Sequence, residues 1–324
     1  MTWWLTRPTP APTADSASVL APAPPPAYTS AAEPAPAESG RYELLTATAD
    51  GTHARIAREL ASALSTEATA IRAVPLADGT DPMTGLQAPG RLAIVRFDAL
   101  RAARGSAASP LRVLTPLFPE AVLFIVRSDS PLKYIHELRG RRLSIGPVQG
   151  DGSHTVRAIY RRLFGAEMTE PAQFDTNQAL AELVAFRSID AMAIVEPQPS
   201  AWWASLDPRT ARRLRLLTLD PRHPASRELA LGTLVARTGA GATKDKRTTT
   251  PAVMSFLVAS GAGDADVERL TAMARALCRE LPRLREQGDP KWRELQPAAQ
   301  LDTGWPVVRP VQSVLSDCAR RWAY

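Results

Sequence analysis

Short apolar runs alternate with amphipathic stretches along most of the chain. Residues 41–49, RYELLTATA, predict a strand, and Gly51-Thr52 leads into a helical spacing that runs through Leu64. Residues 71–76 and RLAIVRF at 91–97 predict two more strands, followed by a helix-prone segment over 98–104. LRVLTPLF and AVLFIVR come next, and the second is apolar enough for a strand buried on both faces. A helix over about 131–139 leads to Leu143-Ser144-Ile145, a short β-like run that Gly146-Pro147 and Gly150-Asp151-Gly152 break. Ser153-His154-Thr155 then open a helical pattern with apolar positions at Val156, Ile159, Tyr160 and Leu163. Another helix, NQALAELVAFRSI, precedes an apolar strand, DAMAIVEPQP. Beyond residue 220, LGTLVAR and PAVMSFLVA predict one or two strands, and long helices follow over 264–287 and about 308–323. This alternation predicts an α/β fold with largely parallel sheets.

The first 40 residues fall outside that pattern. They are dominated by Pro and Ala, cannot bury enough apolar surface to fold, and predict a disordered spacer over 1–40. Trp3-Trp4-Leu5 is too short for the apolar core of a secretory signal. No run approaches the roughly 18 apolar residues that span a bilayer. The chain is therefore either cytoplasmic or separated from its export segment. With 324 residues, 45% hydrophobic and 22% charged, it suits a globular protein of about two domains.

The formal charge is +6 and the isoelectric point about 9.7. The basic residues are spread, at Arg139, Arg141, Arg142, Arg157, Arg161, Arg162, Arg209, Arg212, Arg213 and Arg215, without the aromatic or motif context of a nucleic-acid binder. They read as solvated helix faces, with an anionic ligand or acidic partner as the other reading. Cys278 and Cys318 lack metal-like spacing. They can pair only if their two helices pack together in an oxidising compartment, and two separate buried thiols are expected.

A strand, a glycine loop and a helix N-terminus together can receive an anion, because the first-turn N–H groups are unpaired and the helix end is partly positive. On the plainer reading, Gly150 and Gly152 only turn the chain, and Ser153 or Thr155 caps the helix. His53 and His154, with Asp98 and Asp151, have no metal-site spacing, and no metal or cofactor is expected. No recognisable Ser–His–Asp or Cys–His set is present, so no enzyme activity is expected. Trp202-Trp203 reads as packing.

The segment LRVLTPLFPEAVLFIVRSDSPLKYIHELRGRRLSIGPVQGDGSHTVRAIYRRLFG resembles the middle of the TAXI family of TRAP-transporter solute-binding proteins. TATADGTHARIARELASAL, LAIVRFDAL, ALAELVAFRSIDAMAIVEPQPSAW and TGWPVVRPVQSVLSDCARRW resemble further elements of that family in the same order, so the resemblance covers roughly residues 42–324. It implies a two-lobe periplasmic-binding-protein fold with a hinge: lobe I from 41–120 plus 224–324, lobe II from 121–223. It also implies a monomer, in the periplasm or anchored to a membrane facing it, that captures a small organic anion, an amino acid or carboxylate, for a membrane permease. Ligands in open α/β sheets sit beyond the carboxyl ends of the strands. The expected ligand-binding residues are Gly51, Thr52 and His53, then Arg96 and Asp98, then Gly150, Gly152, Ser153, His154 and Thr155, with Glu196 closing the cleft. Arg96 can fork onto a ligand carboxylate or pair with Asp98 or Glu196. The chain departs from the family at His53-Ala54, where tyrosines are usual, and at Arg96-Phe97. A sensing or protein-interaction module with a degenerate pocket is the alternative.

Overall fold

In this computed structural model the described residues are 41–321 apart from 48, 50, 67–68, 77–80, 104–110, 149, 228–232, 239–245, 262–263, 298 and 300–302. The spacer expected over 1–40 lies outside them. The strands are β1 (Arg41–Thr46), β2 (Ala70–Pro75), β3 (Arg91–Arg96), β4 (Arg112–Arg127), β5 (Leu143–Ser144), β6 (Ala191–Pro197), β7 (Leu214–Leu216), β8 (Thr233–Thr238) and β9 (Lys246–Ala259). The helices are α1 (Gly51–Leu64), α2 (Pro82–Gly85), α3 (Phe97–Ala102), α4 (Asp151–Phe164), α5 (Thr176–Ala181), α6 (Ala201–Ser205), α7 (Pro208–Arg212), α8 (Pro224–Arg227), α9 (Asp264–Gln287) and α10 (Arg309–Arg321). The fold is α/β, as the alternation predicts.

The sheet runs β2-β1-β3-β9-β4-β6-β5, with β7 added to β4 and β8 to β9. Its β1/β2, β1/β3 and β5/β6 pairs are parallel. The β3/β9, β4/β6, β4/β7, β4/β9 and β8/β9 pairs are antiparallel, so the expectation of a largely parallel sheet is corrected to a mixed one. Parallel pairing needs a crossover, which α1 provides between β1 and β2. The two long strands β4 and β9 run against their neighbours.

Strand β4 also joins what the sequence divides into two runs. Pro116 and Pro119 look like breakers, yet the strand continues through both because the β4/β9 register shifts between Val113 and Thr115 and between Pro116 and Pro119. Such irregularities tolerate a residue that cannot donate to the ladder. Ala121, Val122, Leu123, Ile125 and Val126 are fully buried, as the apolar run predicts for a strand covered on both faces.

Four apolar clusters form the core. Two draw on residues from Tyr42 to Phe118 and again from Phe256 to Leu315. The other two draw on residues from Ala121 to Ala236, including Trp203, with Trp202 packed against them. The seam between these two groups crosses β4 between Phe118 and Ala121. Helix α4 belongs to the second group through Val156, Ile159 and Leu163, and it ends at Gly165, whose left-handed φ of 63° lets its N–H reach the Arg161 carbonyl.

Helices α9 and α10 pack together on the first group. They carry Cys278 and Cys318, which form a disulfide with Cα atoms 5.7 Å apart. This corrects the expectation of two separate thiols: both residues lie on the inner faces of the helices, where the same contacts that bury them bring them together. Among the described residues no helix is long and apolar enough to cross a membrane.

Candidate functional site

Glu120 lies in the seam and is fully buried. Its Oε1 accepts from His53 Nε2 at 2.8 Å, from Arg96 Nε at 3.1 Å and from the Ser255 hydroxyl, and its Oε2 accepts from Arg96 Nη2 at 2.8 Å. Helix α1 presents His53, the end of β3 presents Arg96, and β9 presents Ser255. Burial alone would raise the Glu120 carboxyl, but the charges of Arg96 and His53 and their hydrogen bonds outweigh it and hold the group well below the usual carboxylate range. With Glu120 ionised, His53 Nε2 carries the proton it shares, and the imidazole packs at 5.9 Å against the Phe118 ring. Ser255 and His53 both bond Glu120.

The sequence reading missed Glu120 altogether. It offered Arg96 a ligand carboxylate, Asp98 or Glu196; the guanidinium Nε and Nη2 fork onto Glu120. The signal was present, because an acid in the middle of an apolar strand must be paired if the strand is buried. It was overlooked because Pro119-Glu120 fell in the gap between the two runs read as separate elements.

The second half of the site lies on α4. Thr155 is buried and its hydroxyl donates to Asp98 Oδ2 at 3.0 Å. That bond joins α4, which packs on the second group of clusters, to α3, which packs on the first through Leu100. Ser153, also buried, donates to the Gly150 carbonyl at 2.7 Å. The N-cap of α4 is Gly150, with no side-chain cap, so neither Ser153 nor Thr155 caps the helix as the plainer reading has it. Gly150 has an ordinary φ of −67°, and Gly152 is helical. The left-handed glycine of this loop is Gly146, at φ 95°. A Cβ at Gly152 would meet Val195 at ordinary contact distance, whereas one at Gly150 would come within 3.2 Å of the Pro147 carbonyl oxygen.

The other expected residues are dispersed around this pair. Gly51 starts α1 at φ 89°, and the Thr52 hydroxyl accepts from Arg55 Nη2 at 3.1 Å. His154 is exposed on α4. Glu196, at the end of β6, accepts from the Ser200 hydroxyl and, at 3.4 Å, from the Trp202 N–H. Burial pushes its carboxyl above the ordinary value, and the nearby Glu120 charge adds to that. Among the described residues no three His, Cys, Asp or Glu side chains converge as metal ligands.

Residues 95–304, more than half of the chain, match the NMT1-like family. No match to a curated protein was found. Solved structures with a similar fold include XAC2383 from Xanthomonas citri, at 14% identity over 87% of this chain and 98% of that one, with a TM-score of 0.48. R. palustris Rpa4515 with adipate shares 17% identity over 87% and 95% of the two chains, with a TM-score of 0.46. The periplasmic aliphatic sulphonate binding protein SsuA from Escherichia coli shares 18% over 86% and 78%, with a TM-score of 0.44. At these scores the likeness assigns neither ligand nor partner.

Proposed function

The chain belongs to the NMT1-like family, and from that premise we propose that it is a solute-binding protein working outside the cytoplasm, with lobes corresponding to the two groups of clusters and a hinge at the seam. The observation that carries this reading is the Thr155–Asp98 hydrogen bond, which ties an element of one group to an element of the other beyond the ends of strands. A contact of this kind can form on closure and break on opening. The Cys278–Cys318 disulfide suits an oxidising compartment such as the periplasm. The finer reading, a small organic anion, amino acid or carboxylate, handed to a TRAP-type permease, rests on the TAXI resemblance and on the N-terminus of α4. It needs no catalytic step.

A thermal-shift screen of amino acids and small carboxylates, paired with small-angle scattering, tests the proposal. A solute should raise the melting temperature saturably and lower the radius of gyration. If none does either, the solute-binding reading fails. The alternative, a sensing or interaction module of the same fold, then stands, favoured by one feature: Arg96 and Glu120, and likewise Asp98 and Thr155, already bond one another.

A further inference from the structure

Three donor side chains converge on the two oxygens of Glu120: a guanidinium fork, an imidazole N–H and a hydroxyl. This is the donor set a protein offers to a solute carboxylate, with the bidentate arginine supplying both charge and direction. Here the chain supplies the carboxylate itself. Building on the solute-binding reading, we infer that Glu120 is the specificity-determining residue of the cleft, a resident carboxylate that holds Arg96 against any solute anion. Of the two solute classes in that reading, it turns away the bare carboxylate.

Three features support the inference. Glu120 sits in β4 within the seam, on the strand that both groups of clusters share, so it is placed where a closing cleft meets its ligand. Arg96 stands at the end of β3, beside α3, and is 7% exposed, while the His53 side chain is 13% exposed, so the edge of the donor set touches solvent even with Glu120 sealed. The carboxylate of Glu196, on the neighbouring strand, lies near enough to feel the Glu120 charge. An incoming bare carboxylate would have to displace one acid and approach another.

The test is succinate titration of the full chain, native and Glu120→Gln, by calorimetry. The native protein should bind succinate only weakly. Glu120→Gln should bind succinate about 10- to 150-fold more tightly, the worth of a charge-assisted hydrogen bond gained, and Arg96→Gln added to it should remove the gain. Should Glu120→Gln fail to fold, Glu120→Ala in acetate replaces it: acetate should raise its melting temperature saturably, and chloride at equal concentration should not. Succinate bound as tightly by the native chain overturns the inference. So does a folded Glu120→Gln that gains nothing, or a Glu120→Ala that acetate does not stabilise or restore, since the donor set is then only a structural ion pair. The solute-binding reading fails by a separate sign: no amino acid or carboxylate stabilises the native chain, even while Glu120→Gln takes succinate.

Discussion

Arg96 and Glu120 are each sealed almost completely from water, and their ion pair offsets part of the cost of burying the two charges. Arg96→Ala would leave a buried carboxylate facing only His53 and Ser255, and should cost about 3–5 kcal/mol in urea unfolding. Replacing both members with Met and Leu should recover most of that loss, because a well-packed apolar pair avoids the desolvation of two ions. Acid acts on the same pair. The folded-state value of Glu120 lies below its unfolded value, so its contribution is complete above the ordinary carboxylate range and is lost as pH falls through and below that range. Glu196 has the opposite sign: its folded-state value is raised, so ionising it at neutral pH opposes folding. Glu196→Gln should therefore melt higher than the native chain at pH 7, and the difference should shrink as pH falls below the carboxylate range; a gap independent of pH would rule out burial of the charge as its cause. Much of this network was hidden from the sequence. Arg96, His53 and Glu196 could be named because strand ends present side chains to a cleft, but the bond that organises them spans residues 53, 96, 120 and 255, and no local spacing encodes it.

The loop between β5 and α4 shows what an element can reveal and what it conceals. Its glycines and its place after a strand were legible, and so was the helix that follows. Which glycine the backbone needs was not, since that depends on φ. Gly146 is left-handed, so Gly146→Ala should cost roughly 1–2 kcal/mol through strain. Gly152→Ala should be neutral or slightly stabilising, because the residue is helical, the new methyl fits against Val195, and Ala exceeds Gly in helix propensity by about 1 kcal/mol. Equal losses at the two positions in thermal unfolding would contradict this assignment. Strand β4 carries the converse lesson. Its apolar content was plain, but its continuity through Pro116 and Pro119 depends on irregular pairing with β9, a partner more than a hundred residues away in sequence.

Across the whole molecule, α/β alternation and both C-terminal helices were legible because their apolar periodicity is strong. The mixed direction of the sheet was not, since a strand's direction is set by how the chain returns to it. The disulfide closes a span of 40 residues across α9 and α10. Reducing it should lower stability by about 2–4 kcal/mol through the added freedom of the unfolded chain, read as a lower denaturant midpoint in dithiothreitol that Cys278→Ala/Cys318→Ala reproduces.

The division of the core along the chain also orders events on the ribosome. The second group of clusters is encoded without interruption from Ala121 to Ala236. The first needs residues up to Phe118 and, again, those from Phe256 to Leu315. The earliest strands to emerge are thus held without their closing partners while the intervening stretch is translated, an interval on the order of ten seconds at ordinary elongation rates. Ribosome-arrested chains that stop short of β9 should yield protease-resistant fragments from the later-encoded group alone. Through that interval the apolar faces contributed by residues from Tyr42 to Phe118 stay open to a chaperone or an export channel.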